Sequence, residues 1–272
     1  MATDPSADLL HQPFLMPAGP THALLVHGFL GTPEEMRPLG EALAAAGVSA
    51  RAVQLPGSGP DRGRIGEVGS AEWVETATRA WLETRAGAER TVLVGCSMGG
   101  AVALRLAEIA PPDALVLLAP HWRFADKRTV ALPLVKHVVK EVQPFGKANF
   151  ADPGTRKMFE EMAPGANLDD PAVQDRLRRQ TALPTRTLDE LRRIGVVAGA
   201  AARNVTSPTT ILQGRDDTTS LPVNTRLLGL RLGGPLTLRE FPGGHQLVDP
   251  ALPSWETVRD GVVAAALAVS TQ

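Results

Sequence analysis

The sequence holds one cysteine, Cys96, no tyrosine, and few aromatic residues, which make up 4% of its 272 positions. A single thiol excludes an internal disulfide, so the fold does not depend on an oxidising compartment. No apolar run approaches the roughly 18 residues that a membrane-spanning helix requires, and the amino terminus lacks the basic and apolar segments of a signal peptide. These absences predict a cytoplasmic protein without stable membrane anchoring.

The chain also lacks an excess of charge of either sign. Lys and Arg together number 28 and Asp and Glu number 29, which gives a formal net charge of -1 at pH 7. A balanced charge gives no overall attraction to nucleic acid, so we expect no nucleic-acid partner. What the chain does have is an apolar fraction of 43%, enough to bury a substantial core. The oligomeric state stays open at this level.

Short apolar runs alternate with helical patterns along most of the chain, which is typical of a mostly parallel sheet with crossover helices. Two of these runs, residues 92–94 and 115–118, are apolar on both faces, as expected of strands covered by helices on each side. The order predicts an α/β fold. The predicted strands are Ala23–Val26, Val48–Val53, Thr91–Gly95, Ala114–Leu118, Thr209–Leu212 and Leu236–Phe241.

Local signals mark where two of the helices begin. Residues Thr32–Glu35 match a capping box with proline at the first helical position. Ser70 is predicted to cap a second helix, in which Trp73 and Trp81 fall on one face. Core packing is the interpretation that we prefer for both tryptophans.

The alternation stops between about His121 and Asn204, where helical patterns follow one another without a good strand between them. A helical stretch of this length between two strands indicates an insertion, which we interpret as a helical cap, or lid. The predicted organisation is therefore a core made of residues 1–120 and 205–272, with the cap at 121–204.

The segment Gly95–Gly99, read Gly-Cys-Ser-Met-Gly, follows one predicted strand and opens a predicted helix. A strand–turn–helix context of this kind is what a nucleophile elbow requires. The turn holds its serine in strained backbone geometry, and glycine at the flanking positions avoids collisions with the neighbouring backbone. The pattern makes Ser97 the candidate nucleophile, with its hydroxyl above the sheet at a helix N-terminus.

A histidine and a carboxylate that could complete a catalytic triad follow later strands. His245 lies in a glycine-flanked loop after Leu236–Phe241, and an imidazole can take the serine proton and return it to the leaving group. Asp216 and Asp217 end another strand, and only one of two adjacent side chains can face the imidazole. The chain order of nucleophile, acid and histidine is that of α/β hydrolases rather than of other triad folds.

An oxyanion hole needs two backbone N–H donors aimed at one point. In this fold one donor belongs to the residue after the nucleophile, here Met98, and the other to the loop after an early strand. Phe29, in the sequence His-Gly-Phe after the first strong strand, stands where the second donor is expected. For His27 we prefer a structural role in that loop.

With these motifs in place, the chain resembles the α/β-hydrolase superfamily over nearly its whole length. More narrowly, residues 25–33, Leu-Val-His-Gly-Phe-Leu-Gly-Thr-Pro, resemble the branch of bacterial carboxylesterases and monoacylglycerol lipases. In that branch the triad acid stands three residues after the position of Gly214 and five before a proline, which selects Asp217, with Pro222 following. The resemblance implies an α/β-hydrolase fold and a serine esterase that needs no cofactor and no metal, with Phe29 and Met98 at the oxyanion hole.

The function expected from these residues is hydrolysis of a small-molecule carboxylic ester through an acyl-enzyme on Ser97. Trp122, Met158 and Met162 are the candidate residues of an apolar substrate pocket for a short-to-medium acyl group or a monoacylglycerol-like ester. A thioesterase, an acyl-transfer enzyme or a C–C hydrolase of specialised metabolism would use the same triad. A weakly catalytic ligand-binding receptor on the same fold is an alternative of a different class.

Overall fold

The structure, a computed structural model, describes residues 11–270 with the exception of 144, 145, 147, 152–154, 157, 158, 161–164 and 181. For residues 179, 180 and 270 it describes the backbone alone. The chain divides into two compact units. The first comprises Met1–Lys127 and Glu190–Gln272, and the second comprises Arg128–Asp189.

The elements are numbered here in chain order. The strands are β1 (Phe14–Met16), β2 (Thr21–Val26), β3 (Val48–Val53), β4 (Arg90–Cys96), β5 (Ala114–Leu118), β6 (Glu141–Val142), β7 (Leu183–Pro184), β8 (Thr209–Gly214) and β9 (Leu236–Phe241). The helices are α1 (Arg37–Ala45), α2 (Ser70–Arg85), α3 (Met98–Ile109), α4 (Leu132–Val135), α5 (Pro171–Gln180), α6 (Thr185–Ala201), α7 (Pro222–Gly229) and α8 (Trp255–Ser270). Short 3-10 helices cover Pro33–Met36, Gly59–Arg64, Lys127–Ala131 and Ala202–Asn204.

The first unit contains a seven-stranded sheet in the order β1-β3-β2-β4-β5-β8-β9. In this sheet β3, β2, β4, β5, β8 and β9 pair in parallel, each strand with its neighbour in that order. Strand β1, at the edge, pairs antiparallel with β3. This arrangement confirms the predicted mostly parallel sheet flanked by helices. All six predicted strands are present within a few residues of their predicted bounds.

Side chains of the central strands alternate between two apolar cores, one on each face of the sheet. In β4, Leu93 belongs to the core that contains Trp73 and Trp81 of α2, whereas Val92 and Val94 belong to the core on the other face. The second core includes side chains from α1 and α8. Because successive residues of a strand point to opposite faces, an apolar run with both faces covered is the sequence form of such a strand.

The second unit has a small apolar cluster of its own and a short two-stranded sheet. Phe150 and Phe159 have ring centroids 4.6 Å apart, and both pack with Leu168. Strands β6 and β7 pair antiparallel, which the sequence did not predict because two residues are too few for a periodic pattern. The unit lies within the predicted insertion at 121–204 and is shorter at both ends. Its role as a cap stays a prediction.

Helix α2 begins at Ser70, but the capping residue is Gly69 rather than Ser70. The side chain of Glu72 accepts a hydrogen bond from the Gly69 N–H at 3.1 Å. Ser70 itself donates its N–H and its hydroxyl to Glu190, at 2.9 and 2.7 Å. The helix start was therefore predicted correctly within one residue, while the assigned capping group was wrong.

The close packing of α6 generates a stability prediction at Gly195. A Cβ at this position would lie 2.4 Å from the backbone carbonyl oxygen of Trp122. Glycine inside a helix is normally less favourable than alanine by about 1 kcal/mol, so alanine would stabilise an unobstructed site. Here we expect Gly195→Ala to lower the free energy of unfolding by about 1–3 kcal/mol, because the added methyl group overpacks against backbone.

Urea denaturation followed by circular dichroism measures this change. Gly63→Ala is the matched control, because a Cβ at Gly63 meets no heavy atom within 4 Å among the described residues. The control should change the unfolding free energy by no more than about 0.5 kcal/mol. Equal stabilities for the two variants would contradict the close approach of α6 to Trp122.

Candidate active site

The residues predicted to carry chemistry follow the carboxyl ends of parallel strands. Ser97 follows β4, Asp217 follows β8 and His245 follows β9, while the loop His27–Gly31 follows β2. Because these strands are parallel, their carboxyl ends lie along one edge of the sheet. Side chains that are far apart in sequence are therefore brought to one place.

The turn between β4 and α3 holds Ser97 in a left-handed conformation, with φ 50° and ψ -115°. Backbone atoms approach this turn closely on both sides. A Cβ at Gly95 would lie 2.4 Å from the Gly99 carbonyl oxygen, and a Cβ at Gly99 would lie 2.2 Å from the Val26 carbonyl oxygen. Only glycine fits at either position, which is the physical reason for the Gly-x-Ser-x-Gly pattern here.

A continuous chain of hydrogen bonds joins Ser97, His245 and Asp217. His245 Nδ1 lies 2.8 Å from Asp217 Oδ2, and His245 Nε2 lies 3.0 Å from Ser97 Oγ. An ionised carboxylate only accepts hydrogen bonds, so the proton of the neutral imidazole belongs on Nδ1. Nε2 is then free to accept the hydrogen bond that the serine hydroxyl donates.

The Asp217 carboxylate is 2% exposed and is held on both oxygens. Its Oδ1 accepts the N–H groups of Thr219 and Ser220, each at 2.8 Å, and its Oδ2 accepts the Gln213 side-chain amide at 3.1 Å besides His245. Four donors satisfy a buried charge that would otherwise be costly. Gln213 is a supporting residue that sequence reasoning missed, because a glutamine inside a strand carries no motif.

The neighbouring aspartate has different surroundings. Asp216 is exposed, and its side chain accepts the Gly243 N–H at 3.2 Å. The residues alone left open which of the two faces the imidazole. The structure brings Asp217, the residue selected by the resemblance, to His245.

The two predicted oxyanion donors lie on adjacent loops. Strands β2 and β4 are neighbours with Val26 opposite Gly95, so the loops that follow them leave the sheet side by side. A Cβ at Gly28 would lie 3.5 Å from the Cβ of Ser97. The N–H groups of Phe29 and Met98 have no hydrogen-bond partner within the part of the chain that the structure describes.

Two buried histidines are held neutral near this site. The Leu55 N–H donates to His27 Nε2 at 3.0 Å, so the proton of His27 is on Nδ1, which donates to the Gly28 carbonyl oxygen at 2.8 Å. His121 Nε2 donates to the Leu191 carbonyl oxygen at 3.1 Å. Burial lowers the pKa of each imidazole to about 4. The structural role preferred for His27 matches these contacts.

Glu35 was predicted to close a capping box, and this prediction is wrong. The 3-10 helix that Pro33 opens has no side-chain cap at Thr32. The Glu35 carboxylate turns inward and accepts the Gly28 N–H at 2.7 Å. Burial raises the pKa of Glu35 from 4.5 to about 7, against the opposing effects of the Gly28 N–H and of positive charge on His245. No sequence signal marks this contact, because the pattern around Glu35 is a local helix-start signal.

The three predicted pocket residues have separate outcomes. Trp122 is 6% exposed, and the guanidinium groups of Arg123 and Arg231 lie 4.0 and 5.0 Å from its ring centroid. Met158 and Met162 lie outside the described residues. The pocket assignment stays a prediction.

Cys96, next to the candidate nucleophile, is buried in the core on one face of the sheet. Burial raises the pKa of its thiol, and the nearby charges of Glu35 and Asp217 raise it further. A thiol that resists ionisation is a poor nucleophile, so the role of a small core residue fits Cys96.

Metal-binding clusters and membrane-spanning helices are both absent from the described residues. Among them, no group of three or more His, Cys, Asp or Glu side chains is arranged to hold a metal ion. No helix in the described ranges is long and apolar enough to cross a membrane.

The fold, with the strand–turn–helix segment Gly95–Gly99 at the carboxyl edge of a mostly parallel sheet, is that of an α/β hydrolase. The chain belongs to the Hydrolase_4 family, described as serine aminopeptidase, S33, whose model matches residues 21–248. The predicted α/β-hydrolase fold is thereby confirmed.

Individual relatives are similar to the chain over different lengths. The thermostable monoacylglycerol lipase of Bacillus sp. (strain H-257) is 41% identical over 103 residues, which are 37% of this chain and 40% of the lipase. The match thus spans less than half of the lipase. The carboxylesterase of Bacillus subtilis (strain 168) is 23% identical over 207 residues, or 76% of each chain. The predicted resemblance to the esterase and monoacylglycerol-lipase branch is confirmed.

Solved structures share the fold over nearly the whole chain. A structure of LipS and LipT, two metagenome-derived lipolytic enzymes, superimposes with a TM-score of 0.76 at 22% sequence identity. The alignment covers 95% of this chain and 98% of that chain.

Proposed function

We propose that the chain is a serine hydrolase of carboxylic esters in which Ser97 is the nucleophile, His245 the general base and acid, and Asp217 the carboxylate that orients the imidazole. The observation that carries this proposal is the hydrogen-bond chain from Ser97 Oγ through His245 to Asp217, with distances of 3.0 and 2.8 Å. Each contact is within the reach that proton transfer requires.

The reaction begins when Ser97 Oγ attacks the ester carbonyl carbon while its proton passes to His245 Nε2. The resulting imidazolium is stabilised by the buried Asp217 carboxylate on its other nitrogen. Collapse of the tetrahedral intermediate breaks the bond to the alcohol oxygen, which takes the proton from Nε2. Water then attacks the acyl-enzyme with His245 as base, and the carboxylic acid leaves as Ser97 regains its proton.

In the tetrahedral intermediate the former carbonyl oxygen carries negative charge. The N–H groups of Met98 and Phe29 are the donors that we assign to it. Met98 is the first residue of α3, so the helix N-terminus adds its favourable dipole to the Met98 donor. Phe29 supplies the second donor from the loop beside the elbow, where Gly28 brings the backbone close to Ser97.

The proposed substrate is an ester with a short-to-medium apolar acyl group, or one that resembles a monoacylglycerol. The two Bacillus relatives are named as a monoacylglycerol lipase and a carboxylesterase, which favours an ester over other acyl compounds as the substrate. We assign one side of the acyl pocket to the neutral ring of His121 and to Phe124. His121 is neutral there, and its ring packs edge-to-face on Phe124 at a centroid distance of 5.1 Å.

Thioesters, aminoacyl amides and C–C bonds are substrates of other reactions that the same triad could perform. A panel of matched esters, thioesters, amides and C–C hydrolase substrates, assayed under the same conditions, separates them. A higher kcat/KM for the ester supports the proposal, and a higher value for another class would replace it. A protein that hydrolyses none of them would favour a ligand-binding receptor.

The roles of the two aspartates are tested by Asp217→Asn and Asp216→Asn. An asparagine at 217 presents an amide to the imidazole and favours the wrong tautomer, so kcat should fall by about a thousandfold or more. Asp216→Asn should remain within about tenfold of wild type, because Asp216 is exposed and bonded to loop backbone. Both values are read from hydrolysis of an aryl ester, with Ser97→Ala giving the background rate.

Thermal unfolding of each variant is the control for loss of structure. A folded Asp217→Asn protein with nearly wild-type kcat, or a larger loss in Asp216→Asn, would remove Asp217 from its proposed role.

The acyl preference is tested with a series of aryl esters of increasing chain length. Each buried methylene contributes about 0.8 kcal/mol, so kcat/KM should rise about fourfold per carbon until the pocket is full. Phe124→Ala should move the preferred length toward longer chains. Phe14→Ala, at the sheet edge on β1, is the control and should leave the preferred length unchanged. A flat series would contradict an apolar acyl pocket.

A further inference from the structure

Glu35 is a buried carboxylate beside the candidate site to which the proposed reaction gives no role. Its Oε1 accepts the Gly28 N–H at 2.7 Å, and Gly28 precedes the proposed donor Phe29. Gly28 also lies next to the nucleophile, as the 3.5 Å distance from its Cβ position to the Ser97 Cβ demonstrates. A charged side chain therefore ends within the loop that is proposed to bind the oxyanion.

The loop is folded tightly around this carboxylate. The Gly31 N–H donates to the Gly28 carbonyl oxygen at 3.2 Å, and Leu30 has φ 61°, the positive value that a type II turn needs at its third position. A Cβ at Gly31 would lie 2.2 Å from Glu35 Oε2. A glycine at this position lets the turn close onto the carboxylate, since any larger residue would displace it.

Gly28 is held from both sides. Glu35 accepts its N–H, while His27 Nδ1 donates to its carbonyl oxygen at 2.8 Å. That carbonyl group and the Phe29 N–H belong to the same planar peptide group, in which the two point in opposite directions. The His27 contact therefore orients the Phe29 donor, while the Glu35 contact holds the preceding peptide group of the same loop.

We propose that Glu35 is a positioning residue, whose carboxylate holds the oxyanion loop, residues His27–Gly31, through its contact with Gly28. This inference rests on the proposed function. It adds a second carboxylate to the triad's surroundings, on the oxyanion side rather than behind the imidazole.

The proposal makes activity depend on the ionisation of Glu35. Burial raises the pKa of Glu35 to about 7, so the carboxyl group is neutral at pH 5.5 and ionised at pH 8.5. The titratable groups that face it are His245 and the Cys96 thiol. An ionised acceptor binds an N–H more strongly than a neutral one does. The loop should therefore be held best above pH 7.

Glu35→Gln tests the proposal, because glutamine keeps an oxygen acceptor for Gly28 and removes the charge. At pH 8.5 we expect kcat to fall about tenfold with KM changed less than about threefold, because an oxyanion hole acts in the transition state. The ratio of wild-type to variant kcat/KM should decline toward one at pH 5.5, with a midpoint near the pKa of about 7.

Stability should move in the opposite direction. The pKa of Glu35 is higher in the folded protein than its ordinary 4.5, so ionisation lowers wild-type stability as pH rises from about 4.5 to 7. Glu35→Gln removes this effect, and its Tm should exceed that of wild type at pH 8.5 and approach it at pH 5.

Glu34→Gln is the matched control, since the Glu34 side chain pairs with Arg37 and makes no hydrogen bond or ion pair to the oxyanion loop among the described residues. It should match wild type in kcat and in pH profile. Equal kinetics for Glu35→Gln and Glu34→Gln would overturn this inference. A ratio of wild-type to Glu35→Gln kcat/KM that does not change with pH would also overturn it. In either case, hydrolysis that depends on Ser97 would still support the proposed function. A wild-type protein without such hydrolysis would overturn both.

Discussion

The turn that holds Ser97, the proposed nucleophile, packs against neighbouring backbone at two positions where there is no space for a side chain. Gly95 and Gly99 each pass within 2.4 Å, measured from their Cβ positions, of a carbonyl oxygen. Ser97 has a positive φ of 50°, and the glycines two residues before and after it let the turn pack this closely. The same contact, from Gly99 to the end of β2, brings the loop after β2 beside the serine. The positions of the proposed nucleophile and of the proposed oxyanion donors thus follow from one packing constraint.

The charge states of the buried side chains around this turn depend on their burial and on the hydrogen bonds that they receive. Asp217 receives four hydrogen bonds and can remain a buried anion. His27 and His121 are neutral, because burial lowers the pKa of each to about 4. Glu35 has one strong donor and a pKa raised to about 7, so it is the carboxyl group near His245 that titrates close to neutral pH. The site therefore includes a carboxyl group, Glu35, whose charge depends on pH near neutrality.

The features predicted best from the sequence are those that repeat or that constrain the backbone. Apolar runs identified the six main strands, and the glycines around Ser97 identified the turn, because each pattern reports a requirement that is local in the chain. The difference between the surroundings of Asp216 and those of Asp217 does not follow from the local sequence. They depend on where Gln213 and Gly243 lie in three dimensions, so the residues alone left the choice open.

At Glu35 the local sequence pattern predicted the start of a helix correctly but predicted the wrong hydrogen-bond partner for the side chain. Its position after Thr32 and Pro33 matches a helix start, and a 3-10 helix does begin there. The carboxylate nevertheless binds Gly28, because a loop that turns back on itself offers a buried N–H that water cannot reach. Strands β6 and β7 were missed for a different reason, since pairs of two residues have no period to detect.

The central claim is that Ser97, activated by His245, is the nucleophile of this hydrolase. Intact mass and peptide mapping after incubation with an aryl-ester-like phosphonate test it directly. The account predicts one adduct per chain, on the peptide that contains Ser97, and none on Ser97→Ala, whose ester turnover falls to background. An adduct on another residue, or ester turnover that persists in Ser97→Ala, would contradict it.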